Sequence, residues 1–127
     1  MKTILLADDY ESIREFCRQE LEDEGYRVVT ADDGEEAIDL VRKYSPDLVI
    51  LDLHMPWKGG LKAAEQINSF NPGIPIILLT DHDESCLIEG HGVLAKVCIE
   101  KCADLTELKR QIIRTLGSPE ADDSFTR

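Results

Sequence analysis

Two short apolar runs end on carboxylates. Ile4-Leu5-Leu6-Ala7 leads into Asp8-Asp9, and Leu48-Val49-Ile50-Leu51 leads into Asp52. Unbroken apolar runs of this length suit strands covered on both faces, which is the situation of strands in a parallel sheet flanked by helices. In an open parallel sheet the carboxyl ends of neighbouring strands lie side by side along the edge that carries ligands. Three carboxylates would then converge on one shallow cavity. Like charges so placed repel, and a cation or a proton is needed to hold them together. An all-oxygen donor set favours Mg²⁺, with Mn²⁺ as the alternative ion, over zinc. The competing account is local, with each aspartate simply capping the helix that follows it.

The remaining sequence alternates between two periods. After the strand Thr3–Ala7, a helical face formed by Ile13, Phe16, Cys17 and Leu21 is expected over Glu11–Glu24. Gly25 stands where a helix ends. Tyr26–Ala31 reads as a second strand, Asp33–Tyr44 as a helix burying Ala37, Ile38 and Val41, and Asp47–Leu51 as a third strand after Pro46. Pro56 and Gly59-Gly60 mark a loop before a helix that turns Leu61, Ala64 and Ile67 inward. Asn71-Pro72-Gly73 closes that helix. Ile74–Leu79 and Leu94–Ile99 read as the fourth and fifth strands, with a short helix over Asp83–Gly90 between them. Asp104 is placed to cap a final helix, with Glu107 as its reciprocal partner, and that helix buries Leu105, Leu108, Ile112 and Leu116.

Five strands alternating with five helices predict a doubly wound three-layer (βα)5 sandwich of the α/β class. The strand order 2-1-3-4-5 is the one that sets the first and third strands side by side. Residues 1–117 form the expected domain, and 118–127 a polar, loosely held tail.

A length of 127 residues suits one domain with a core of its own. The formal net charge of −12 argues against direct binding to nucleic acid, which depends on lysine and arginine neutralising phosphates. No stretch is long and apolar enough to enter a membrane, and Met1-Lys2-Thr3-Ile4 lacks a signal-peptide layout. Cys17, Cys86, Cys98 and Cys102 have no zinc-like pairing. Reduced thiols in a cytoplasmic protein are the simpler expectation.

Leu6-Ala7-Asp8-Asp9, the run Val49-Ile50-Leu51-Asp52-Leu53-His54-Met55-Pro56, Gly60, Thr80 and Lys101 occur in this order, each at a strand end or in its adjoining loop. In this pattern, from Lys2 to Leu116, the chain resembles the receiver domain of the bacterial two-component response-regulator family, whose fold is flavodoxin- or CheY-like. The resemblance implies a phosphorelay switch. Asp52 is then the phosphoacceptor, and Asp9, Asp52 and the backbone carbonyl of His54 are the direct ligands of Mg²⁺, with Asp8 acting through water. Thr80 and Lys101 would bind the phosphoryl group. His54 and His82 stand where residues modulate phosphoryl lifetime, and Cys98 where the family often carries an aromatic readout residue. The implied partners are a histidine kinase or histidine phosphotransfer protein and a downstream protein. The latter would dock on the face made by the helix expected at Asp83–Gly90, the fifth strand and the final helix. A homodimer is left open. No output domain is visible after Leu116, so the expected readout is protein–protein contact, unless the chain is a piece of a longer one.

The nucleophile needs no raised pKa, only an exposed strand-end position and a cation that softens the approach of an anionic donor. Beyond self-phosphorylation and self-dephosphorylation at Asp52, no enzymatic activity is expected. Four positions depart from the family pattern. Cys102 replaces the usual proline, so the Lys101–Cys102 bond is expected to be trans. Gly59 stands where Asp is common, Asp81 replaces a small residue, and Cys98 cannot sweep the volume of a ring. Gly59, Asp81 and Cys102 leave open a phosphorylation-independent docking module with the same fold. A metal-dependent hydrolase or flavodoxin-like carrier is the third account. Against it, the acidic segment Asp8-Asp9-Tyr10-Glu11 stands where an anionic cofactor would need a glycine-rich loop.

Overall fold

The computed structural model describes residues 1–53, 55, 59–80, 97–100 and 105–117, with Thr80 and residues 97–100 described by backbone alone. Strands β1 (Thr3–Ala7), β2 (Arg27–Ala31), β3 (Leu48–Asp52), β4 (Ile76–Thr80) and β5 (Val97–Glu100) form one parallel sheet in the order 2-1-3-4-5. Helices α1 (Glu11–Asp23), α2 (Gly34–Tyr44), α3 (Gly60–Phe70) and α4 (Thr106–Leu116) cover it. The expected architecture and strand order are therefore found. The helix expected at Asp83–Gly90 lies outside the described residues, as do Gly92 and the tail 118–127.

Alternation along each strand divides the core between the two faces of the sheet. Leu5, Ala7, Val49, Leu51, Ile76 and Leu78 pack with Ala37, Ile38 and Val41 of α2 and with Ala63, Ala64 and Ile67 of α3. Ile4, Leu6, Leu48, Ile50, Ile77 and Leu79 face the other way and meet Cys17 and Leu21 of α1 and Leu108 and Ile112 of α4. Sheet residues of both sets are buried, which is why the strands read as continuous apolar runs.

The helix ends follow local chemistry. At the end of α1 the Gly25 amide bonds Glu22 O at 3.0 Å and the Tyr26 amide bonds Leu21 O at 3.2 Å. This paired closure places Gly25 at φ +106°, where a side chain would be strained. Asp33 caps α2, its side chain accepting from the Glu36 amide at 2.8 Å. Ser45, at φ 47°, ends that helix before Pro46.

Two expectations need correction. Phe16 is 45% exposed rather than part of the inner face of α1. The inward stripe follows the four-residue spacing Ile13, Cys17, Leu21, and Phe16 sits about 100° around the helix from Cys17. Asp104, expected to cap the last helix, lies outside the described residues, and the described N-cap of α4 is Leu105, without a side-chain cap bond. Glu107 turns along the helix instead, accepting from Arg110 and from Gln111 Nε2. Strand β2 also begins one residue later than expected, because the Tyr26 amide is taken by the α1 closure.

Lys109 ties α4 to α1, with Nζ 2.9 Å from Glu20 Oε1 and 3.4 Å from Glu24 Oε2. The hydrogen bond that Lys109 donates to Glu20 holds the ammonium above the usual lysine range, partly opposed by desolvation. A raised lysine pKa stabilises the fold below the unfolded lysine pKa, and that contribution is lost as pH rises through the folded value. Replacing Lys109 with Gln should cost at most about 1 kcal/mol at neutral pH, since the pair is partly solvated. In urea unfolding the gap between the two proteins should close at alkaline pH.

Candidate carboxylate cluster

Adjacent strands β1 and β3 run in register with Ala7 opposite Leu51. One residue further, Asp8 and Asp52 leave the sheet side by side, and Asp9 follows at the start of the turn into α1. Carboxylate oxygens of Asp8, Asp9 and Asp52 all lie within 4.8 Å of one another. The structure thus brings together the three acids singled out by the sequence. At that separation and an effective dielectric constant of about 20, each pair of charges repels by roughly 3 kcal/mol or more.

Local bonding shapes the cluster. The Asp8 amide donates to Ala31 O at 3.1 Å, its Oδ1 accepts from the Tyr10 amide at 2.9 Å, and its carbonyl accepts from Arg14 Nη1 at 2.7 Å. The capping account fails for Asp8: the N-cap of α1 is Tyr10, without a side-chain cap bond, and Asp8 bonds the amide of that cap residue itself. Asp9 is only partly buried, yet its Oδ1 is enclosed and has no hydrogen-bond partner among the described residues. An enclosed carboxylate oxygen without a donor, beside two further carboxylates, suits a hard divalent cation of the Mg²⁺ kind.

Asp52 is 2% exposed, against the expected open strand end. The chain folds back over the end of β3, burying Leu53 and Met55, and the Gly60 amide returns to bond Leu53 O at 2.9 Å. The start of α3 comes so close that a Cβ on Gly60 would stand 2.3 Å from the Asp52 carbonyl oxygen. Only glycine permits that approach. At Gly59, where Asp is common in the resembled family, a Cβ would lie 3.0 Å from Leu53 O, a tight fit.

Thr80 ends β4, opposite Glu100 of β5 in the register, and Lys101 follows that strand. The Thr80 and Cys98 side chains lie outside the described residues, as do His54, His82, Asp81, Lys101 and Cys102. The site residue that sequence reading missed is Arg14. Its signal was a lone cation one turn into the helix that follows Asp8-Asp9, too common a pattern to single out.

A family model described as the response regulator receiver domain matches residues 4–113. The chain belongs to the response-regulator receiver family. Among curated relatives, the response regulator MprA of Mycobacterium sp. (strain KMS) is 37% identical over 125 residues, covering 95% of this chain and 54% of the relative. MprA of Mycolicibacterium vanbaalenii is 42% identical over 121 residues, 94% of this chain and 52% of the relative. This receiver domain thus spans about half the length of these curated relatives. Among solved structures, the response regulator TrrA of Thermotoga maritima, in complex with Mg²⁺–BeF, superposes with a TM-score of 0.86 at 37% identity. That match covers 91% of this chain and 100% of the other.

The Gly60 contact can be tested directly. Gly60→Ala should destabilise the receiver domain by about 2–3 kcal/mol, because the added methyl meets backbone that cannot swing aside. Gly73→Ala, where a Cβ would meet nothing within 4 Å, should change stability little. Thermal unfolding of the two variants beside the parent protein checks the contrast.

Proposed function

We propose that this receiver domain is a phosphoacceptor switch in which Asp52 takes a phosphoryl group from a phosphohistidine on a histidine kinase or histidine phosphotransfer protein. The observation that carries the reading is the three-carboxylate cluster, with Asp52 at the end of β3. An Asp52 oxygen attacks the phosphorus in line with the donor imidazole. The P–N bond breaks as the P–O bond forms, and the imidazole leaves with the electron pair and takes up a proton. Mg²⁺, or Mn²⁺, would offset the charge of the transferring group when bound to the cluster. Asp9, Asp52 and the His54 carbonyl are assigned as its direct ligands. Asp8, whose Oδ1 already accepts from Tyr10, is assigned to act through water.

The regulator TrrA, similar to this chain, has been solved with the histidine kinase ThkA, at 38% identity and a TM-score of 0.82 to this chain. That precedent supports a kinase as the donor here. After transfer, Thr80 and Lys101 are assigned to the new phosphoryl oxygens, as hydroxyl and ammonium donors suited to a charge-dense anion. Drawing the loop after β4 toward Asp52 biases the segment from Asp83 to Asp104, and with α4 this makes the output face for a downstream protein. His54 and His82 tune the lifetime of the aspartyl phosphate, and Cys98 leaves loop movement rather than ring rotation as the signal. The chemistry is confined to gain and loss of the group at Asp52, in the cytoplasm.

Incubation with Mg²⁺ and a small phosphodonor should add the mass of one phosphoryl group, and Asp52→Asn should abolish the gain. A mass gain that persists in Asp52→Asn would overturn the assignment. Asp9→Asn should keep the fold and weaken Mg²⁺ binding at least about tenfold by calorimetry, since it removes a direct charged ligand.

A further inference from the structure

We infer that Arg14 is a positioning residue of the carboxylate cluster: by bonding the Asp8 carbonyl it holds the turn from Asp8 to Tyr10 in the shape that presents Asp9 to a divalent cation. The inference rests on the proposed function only in treating the cluster as a cation site. Arg14 stands one turn into α1, its amide donating to Tyr10 O at 2.9 Å. Helical side chains lean toward the N-terminus, so its long stem runs back over the junction between β1 and α1. There Nη1 meets Asp8 O at 2.7 Å, a short charge-assisted bond in a partly buried setting.

The bond completes a clamp. Asp8 is held through its amide by Ala31, through its carboxylate by the Tyr10 amide, and through its carbonyl by Arg14. Asp9 sits inside this turn with an enclosed Oδ1 that no described group bonds, so its placement depends on its neighbours. Asp8 O belongs to the peptide that joins Asp8 to Asp9. A donor on that oxygen fixes the orientation of the peptide, and with it the direction in which the Asp9 side chain leaves the backbone.

Arg14 is spent on orientation rather than on charge cancellation. Among the described residues no ion pair joins it to Asp8, Asp9 or Asp52, and its guanidinium bonds the Asp8 carbonyl instead. A guanidinium on the main chain does not occupy the enclosed Asp9 oxygen. The two roles predict opposite signs. If Arg14 mattered only as a nearby positive charge, its removal would tighten Mg²⁺ binding by relieving repulsion. If it positions Asp9, its removal loosens the turn and weakens binding, as loss of groups that orient metal ligands does.

The test is calorimetric titration of Mg²⁺ alone into the full chain, with Arg14→Met and Arg14→Lys beside the parent. Methionine keeps much of the apolar stem without the donors; lysine keeps the charge and one donor site. About tenfold weaker binding in Arg14→Met, with partial recovery in Arg14→Lys, is expected. Unchanged or tighter binding in Arg14→Met overturns the inference. If Arg14→Met does not fold, Arg14→Leu, which likewise lacks a donor, takes its place with the same criterion. A second readout needs no metal. Amide exchange at Tyr10 should quicken in the variant while that at Leu21 stays as in the parent, and equal rates at Tyr10 overturn the positioning role. If the parent binds no Mg²⁺ in an Asp9-dependent way, the phosphoacceptor reading fails, and the exchange measurement still decides what Arg14 does to the turn.

Discussion

Mutual repulsion of Asp8, Asp9 and Asp52 is the constraint around which this receiver domain is arranged. Three carboxylates whose oxygens lie within 4.8 Å of one another would drive the strand ends apart if anything there could give. Nothing gives easily. Asp8 and Asp52 continue strands that hydrogen-bond to each other and are buried on both faces, so parting them would break the middle of the sheet. The stored repulsion then becomes a binding energy for whatever cation or donor enters.

The surrounding structure serves that arrangement in layers. Alternating side chains send one set of strand residues to α2 and α3 and the other to α1 and α4, and the two cores press on the sheet from opposite sides. Gly60 lies against the Asp52 carbonyl, and Asp52 is itself withdrawn from solvent.

Much of this could be read from the chain because each strand is short and local, and β1, β3 and β4 are almost wholly apolar. The five runs, the glycine that ends α1, and Pro46 after α2 all carry their meaning within a few residues. Asp8, Asp9 and Asp52 could be paired from sequence because a strand order that juxtaposes their strands is one of few that short right-handed crossovers allow. Phe16 misled because a helical wheel shows which residues can face inward, not how wide a stripe the neighbouring layer covers.

The sequence by itself determined the alternation of strands and helices, the division of the core between two faces, and the identity of the acids at the strand ends. These follow from periodicity and residue type, which are properties of neighbours along the chain. Only the tertiary structure decided that Asp52 is covered, that Gly60 meets its carbonyl, and that Arg14 bonds the Asp8 backbone rather than a carboxylate. Each of these depends on distances between segments that meet only after the layers pack. A few tenths of an ångström at such a contact separates a hydrogen bond from a clash, and no local pattern encodes that difference.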